Sequence, residues 1–160
     1  MAATLIATEE IPLRSGAGDR QAIETILRRG AIVGREIEHH GQARRTMEQA
    51  RALIAACEER DESFRDGTII FADEVVASKG RFARSWHAPP GGLWLTLVLV
   101  NTLVPANTHL YPLMAGMACC ELVQSFGIGA RIKWVNDIHI GGRKIAGILT
   151  ESMFGRRSGE

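Results

Sequence analysis

Two short apolar runs constrain this chain more than any other feature. Residues 68–72 read T-I-I-F-A and residues 93–100 read L-W-L-T-L-V-L-V. Neither is long enough for a helix. Both are rich in β-branched, aromatic and leucine side chains and read as strands buried on two faces. A sheet of such strands needs helices laid against it, and the flanking sequence supplies helical periodicity. Residues 75–92, between the runs, hold glycine, proline and three cations and read as a loop.

The remaining elements follow from spacing and punctuation. Residues 1–18 form a flexible N-terminal segment that ends in the linker-like Arg14-Ser15-Gly16-Ala17-Gly18. Asp19 caps a predicted helix to Arg29, with Ile23, Ile26 and Leu27 on its apolar face and Gly30 as its stop. A short strand over 33–39 is expected next. Thr46 and Gln49 have capping-box spacing, and Met47, Ala50, Ile54 and Cys57 recur on one face behind them. The charged run 58–62 and Gly67 end that helix. After Pro105, Leu110, Leu113, Met114, Met117, Cys120 and Val123 recur at helical spacing as far as Gly127. Strands over 131–134 and 137–140 follow, then a hairpin turn at Gly141-Gly142 and a partner strand over 143–151. The order predicts an α+β fold, a mixed β-sheet flanked by helices, in one domain over 19–160.

With 160 residues, the chain can bury a core without staples. Hydrophobic residues at 46% and charged residues at 23% exclude a disordered chain. The balance of 19 basic against 18 acidic residues, net +1, gives no whole-chain attraction to a polyanion. Cys57, Cys119 and Cys120 make no disulfide framework and read as reduced thiols. No His, Cys and carboxylate set has metal-ligand spacing, and the five histidines read as structural or surface residues. No signal peptide or membrane-spanning run is visible, so a cytoplasmic protein with no membrane partner is expected.

Three segments carry potential chemistry. Lys79, Arg81 and Arg84 lie on one acid-free loop with Gly80 and Trp86. Arginine offers forked donors to phosphate or carboxylate, lysine a mobile charge, and Gly80 close approach or a positive φ. The local alternative is a solvated loop with Trp86 tucked into the core. In Arg131-Ile132-Lys133-Trp134-Val135-Asn136-Asp137, Lys133 sits between apolar neighbours and needs a negative partner; otherwise it snorkels or pairs with Asp137. In Gly142-Arg143-Lys144-Ile145-Ala146-Gly147, a glycine within a strand marks a bulge or a close ligand, or simply a tight hairpin beside another strand.

These segments, in this order, resemble the catalytic domain of biotin–protein ligases, within the wider biotin/lipoate ligase family. The family's G-R-G-R-x-G-R-x-W is matched by Ser78-Lys79-Gly80-Arg81-Phe82-Ala83-Arg84-Ser85-Trp86. Its K-W-P-N-D is matched by Lys133-Trp134-Val135-Asn136-Asp137, and its K-x-A-G-I-L-x-E by Lys144-Ile145-Ala146-Gly147-Ile148-Leu149-Thr150-Glu151. The similarity covers roughly residues 20–151. It implies a fold related to class II aminoacyl-tRNA synthetases. It also implies a ligase that joins biotin to ATP as biotinyl-5′-adenylate and passes it to a lysine of a biotin carboxyl carrier domain. ATP, Mg²⁺ and biotin as substrate are the implied small molecules.

The resemblance assigns catalysis to Lys133 and Arg81. Lys133 would hold the carboxylate and a phosphate oxygen, and Arg81 would bind phosphate and close the loop. It assigns substrate binding to Thr46, Lys79, Gly80, Arg81, Arg84, Trp86, Asn136, Lys144 and Gly147, with no metal ligand. The chain departs from the pattern at Val75, where the family has a biotin-touching glutamine, and at Val76, Ser78, Ala83, Arg45 and Val135. The family's next strand and C-terminal domain are expected to be missing after Glu151. The open edge would then be covered by a homodimer or a complementing chain. No DNA-binding domain fits into 1–18. The alternatives are a lipoate or octanoate ligase or transferase, and a degenerate or half ligase that acts as a binding subunit.

Overall fold

A computed structural model describes residues 33, 34, 36–100 and 108–153. The expected N-terminal segment, the helix over 19–29 and the last seven residues lie outside the described ones. Residues up to Ser78 with His87–Val100 form one compact unit, and Lys79–Trp86 with the described residues from 108 onward form a second.

The first unit holds β1 (Ile37–Ala43), α1 (Thr46–Glu59), β2 (Thr68–Val75) and β3 (Trp94–Val98). The strands lie in the order β1-β2-β3. β1 runs parallel to β2, with Ile37 opposite Ile69 and Ala43 opposite Val75. A parallel pair needs a crossover, and α1 supplies it. β3 returns antiparallel, with Phe71 opposite Leu95. α1 packs on β2 and β3. The strand expected over 33–39 begins later, at Ile37, because Gly34 turns the chain with φ +84° and donates to the Gly67 carbonyl at 2.8 Å.

α1 starts at Thr46 as expected, yet no capping box forms. Arg45 is the N-cap, with extended backbone and no side-chain cap bond. Thr46 is buried instead, and its Oγ1 accepts from Thr96 Oγ1 at 2.8 Å. A buried hydroxyl requires a partner, and the neighbouring strand provides one. The two-faced burial expected of both apolar runs is also corrected. In β2, Thr68, Ile70 and Ala72 are buried while Ile69 and Phe71 are half-buried. In β3, Leu95 and Leu97 are exposed at 44% and 36%. Only one face of this sheet carries a helix among the described residues.

The second unit holds α2 (Leu110–Ser125), β4 (Ala130–Lys133), β5 (Asp137–Ile140) and β6 (Arg143–Gly147). Its strands are antiparallel in the order β4-β5-β6, with Ile132 opposite Ile138. Gly141 and Gly142 have φ +54° and +81°, the signs of a type I′ hairpin turn. α2 lies on β4 and β5. Cys120, Ala130 and Ile138 form the core, with Cys119, Val123 and Ile132 packed on it. Burial pushes the Cys119 thiol up, and neighbouring Cys120 adds to the shift. All three cysteines are free, as the sequence implied. No described helix is long and apolar enough to cross a membrane. The mixed α+β reading holds, with the strands divided between two sheets and a helix on each.

Candidate active site

The cationic loop belongs to the second unit. Lys79 and Ser85 pair as an antiparallel bridge, and Gly80 N–H donates to the Arg84 carbonyl at 2.8 Å. Arg81–Ala83 is a single 3-10 turn. Of the two options open to Gly80, the positive φ is not used, since Gly80 stays at φ −98°; Phe82 has it, at φ 59° and ψ 35°. Lys79, Arg81 and Arg84 are exposed on this closed loop, and Trp86 is half-buried at its end.

Two contacts join the loop to the β4-β6 sheet. Arg81 Nη1 donates to Asn136 Oδ1 at 3.4 Å. Asn136 is itself fixed: its Nδ2 donates to the Ile148 carbonyl at 2.8 Å, and its carbonyl accepts from Ile148 N–H at 2.8 Å. The second contact is Lys144 Nζ, which sits 4.5 Å from the centroid of the Trp86 ring. Trp86 therefore meets a lysine across the loop.

Lys144 also pairs with Asp137, Nζ to Oδ1 at 2.7 Å. The sequence reading offered Asp137 to Lys133, and the structure gives it to Lys144. Asp137 stands opposite Gly147, and the Lys144 chain crosses Gly147 to reach it. A Cβ on Gly147 would lie 3.1 Å from both Cε and Nζ of Lys144. The β5–β6 pair does carry a register irregularity, where Ile138 faces Ala146 and His139 faces Lys144, and Gly147 itself packs against the lysine side chain. Asp137 is the site residue that the sequence reading undervalued; its signal was a carboxylate in a cationic stretch.

Lys133 is exposed at the end of β4, in register with Asp137. No ion pair of Lys133 occurs among the described residues. With Arg131, His139, Gly141 and Gly142 it lines a shallow concavity of about 570 Å³. His139 Nδ1 lies 3.2 Å from the Gly142 carbonyl, and its buried Nε2 has no hydrogen-bond partner among the described residues. Thr46 belongs to the first unit. The structure therefore gathers Arg81, Trp86, Asn136, Asp137, Lys144 and Gly147 in one unit, with Lys79, Gly80 and Arg84 on the same loop. No metal-type cluster of His, Cys and carboxylate occurs among the described residues.

Known proteins resemble this chain in sequence and in fold. The profile of the biotin/lipoate A/B protein ligase family matches residues 43–159. The bifunctional ligase/repressor BirA of Bacillus subtilis is 33% identical over 122 residues, which are 75% of this chain and 36% of that protein. The biotin–[acetyl-CoA-carboxylase] ligase of Paracoccus denitrificans is 38% identical over 93 residues, 52% of this chain and 36% of that one. Among solved structures, the biotin protein ligase of Leishmania major in complex with biotinyl-5-AMP superposes with a TM-score of 0.62 at 25% identity, covering 75% of this chain and 53% of that chain. The biotin protein ligase of Aquifex aeolicus with biotin and ATP gives 0.61 at 25% identity, with 75% and 48% covered. The chain spans about a third of the length of these curated relatives and about half of these solved chains.

Proposed function

Because the chain belongs to the biotin/lipoate A/B protein ligase family, we propose that it performs the biotin branch's reaction, activating biotin with ATP and passing it to a carrier lysine. In the first step a biotin carboxylate oxygen attacks the α-phosphorus of ATP. The new O–P bond gives biotinyl-5′-adenylate, and the α–β bridging oxygen leaves with pyrophosphate. In the second step the amine of a carrier lysine attacks the adenylate carbonyl and AMP leaves. Mg²⁺ enters on the nucleotide's phosphates as their counter-ion.

The observation that carries this reading is the gathering of Lys144 and Arg81. One is held on Asp137 against Trp86, the other on Asn136. Joining two anions needs cations positioned beforehand at the oxygens where charge develops. Lys133, exposed on the concavity, keeps the part the resemblance implies for it, holding the carboxylate and a phosphate oxygen, and Lys144 beside the loop's tryptophan adds a second ammonium. Asp137 holds the ammonium in place until substrate oxygens share it. Arg81, with Lys79 and Arg84, takes phosphate. Trp86 offers a flat face to the adenine side.

A second reading rests on Val75, which is buried at the end of β2. An apolar side chain where the family places an amide favours a plain acyl chain, and hence the octanoate or lipoate branch. Mass spectrometry after incubation with ATP, Mg²⁺ and each acid separates the readings. Biotinyl-adenylate is expected. An octanoyl or lipoyl adenylate in its place would move the protein to the sister branch. No adenylate from a folded chain would sink both and leave a binding subunit.

A further inference from the structure

Phe82 is an anomaly in the loop. Its φ of 59° suits glycine and is a poor fit for a bulky side chain, yet an aromatic residue stands there. Its ring is 81% exposed, so burial does not explain it. What the ring does touch is the neighbouring guanidinium: Arg81 Cζ lies 5.1 Å from the ring centroid. The same guanidinium donates through Nη1 to Asn136, which the Ile148 backbone holds from both sides. Arg81 thus lies between an aromatic face and a fixed amide.

From this geometry we propose that Phe82 is a positioning residue for the adenylate: its ring holds the Arg81 guanidinium where phosphate will be bound. The proposal rests on the ligase reading. Arginine has a long chain of rotatable bonds, and binding phosphate freezes them. Contacts that restrict the chain beforehand reduce what must be frozen on binding. The left-handed backbone at Phe82 turns the chain so that successive side chains at 81 and 82 meet.

Stopped-flow release of biotinyl-5′-adenylate from variants of the full chain tests this. Phe82→Gly removes the ring and relaxes the backbone, because glycine adopts a positive φ freely. A purely conformational role for position 82 therefore predicts unchanged or slower release. The proposal predicts release about two- to fivefold faster, the range of an exposed cation–π contact. Phe82→Leu should behave as Phe82→Gly, and Phe82→Tyr as wild type. On an Arg81→Gln background, Phe82→Gly should add nothing, since the two residues act as one unit. Unchanged release in Phe82→Gly, or equal acceleration on both backgrounds, would overturn the proposal. Side-chain NMR of the ligand-free protein reads the contact directly, as a ring-current shift of the Arg81 methylenes that vanishes in Phe82→Leu. A chain that binds neither ATP nor adenylate refutes the ligase reading and the phosphate role with it. The NMR shift still decides, by its presence or absence, whether the ring holds the guanidinium.

Discussion

Position 144 concentrates contacts at the scale of single residues. Lys144 meets Asp137, Trp86 and the bare backbone of Gly147. Replacing it by alanine should cut the rate of adenylate formation by about 10²-fold or more, the usual loss when one preorganised donor to developing charge is removed. Lys133→Ala should cost at least as much. Pyrophosphate-release kinetics on the two variants, with circular dichroism to confirm folding, checks the order. An unimpaired Lys133→Ala would leave the catalytic part to Lys144. Arg81 differs in kind, because its position depends on Asn136 and Phe82 rather than on an ion pair.

The elements act as platforms, and their cores are small. Ile138 on β5 has no exposed surface and sits under α2 with Cys120 and Ala130. Ile138→Ala should destabilise the protein by about 2–5 kcal/mol, the range for truncating a fully buried aliphatic side chain, and chemical denaturation measures it. The same strand carries Asp137 at its start, so loosened packing under β5 reaches the site through one residue. Cys119 gives this element a pH dependence. Burial raises its thiol in the folded state, so the unfolded chain ionises first as pH rises. The folded state then binds more protons than the unfolded one, and stability falls with rising pH. The thiol's contribution is present below the ordinary thiol range and is lost through it. Thermal melts at neutral pH and above about pH 9 should therefore show a larger drop for wild type than for Cys119→Ala.

Across the whole molecule, charge is balanced at net +1, so long-range attraction of nucleotide is weak. Attraction is local, in the exposed Lys79, Arg81 and Arg84 and the partly exposed Lys144. Exposed charges are screened by salt. The KM for ATP should rise severalfold between about 0.05 M and about 0.5 M salt, with little change in kcat. A KM indifferent to salt would mean that the loop cations do not meet phosphate. The two-faced burial expected of residues 68–72 and 93–100 is not met among the described residues. Each described unit brings one helix to one sheet face, and the second face of β3 leaves Leu95 and Leu97 exposed.

Element identity was legible because it depends on local physics. The periodicity of residues 110–123, the glycine pair at the hairpin and the short apolar runs each carry their structure within a few residues. The loop's cationic character and the three motifs were legible for the same reason. Pairings were not. Thr46 looked like a cap and became the partner of Thr96, fifty residues away, because α1 lies on β3. Asp137 was one of two local alternatives open to Lys133 and pairs with Lys144, because an antiparallel return strand with a bare glycine cleared the way. Gly80 was open to a close approach or a positive φ, and the positive φ falls on Phe82. Sequence by itself determined which residues could do the chemistry, since charge, size and backbone freedom belong to the residue. Only the tertiary structure decided which of them meet, because a contact depends on register and crossing between elements far apart in the chain.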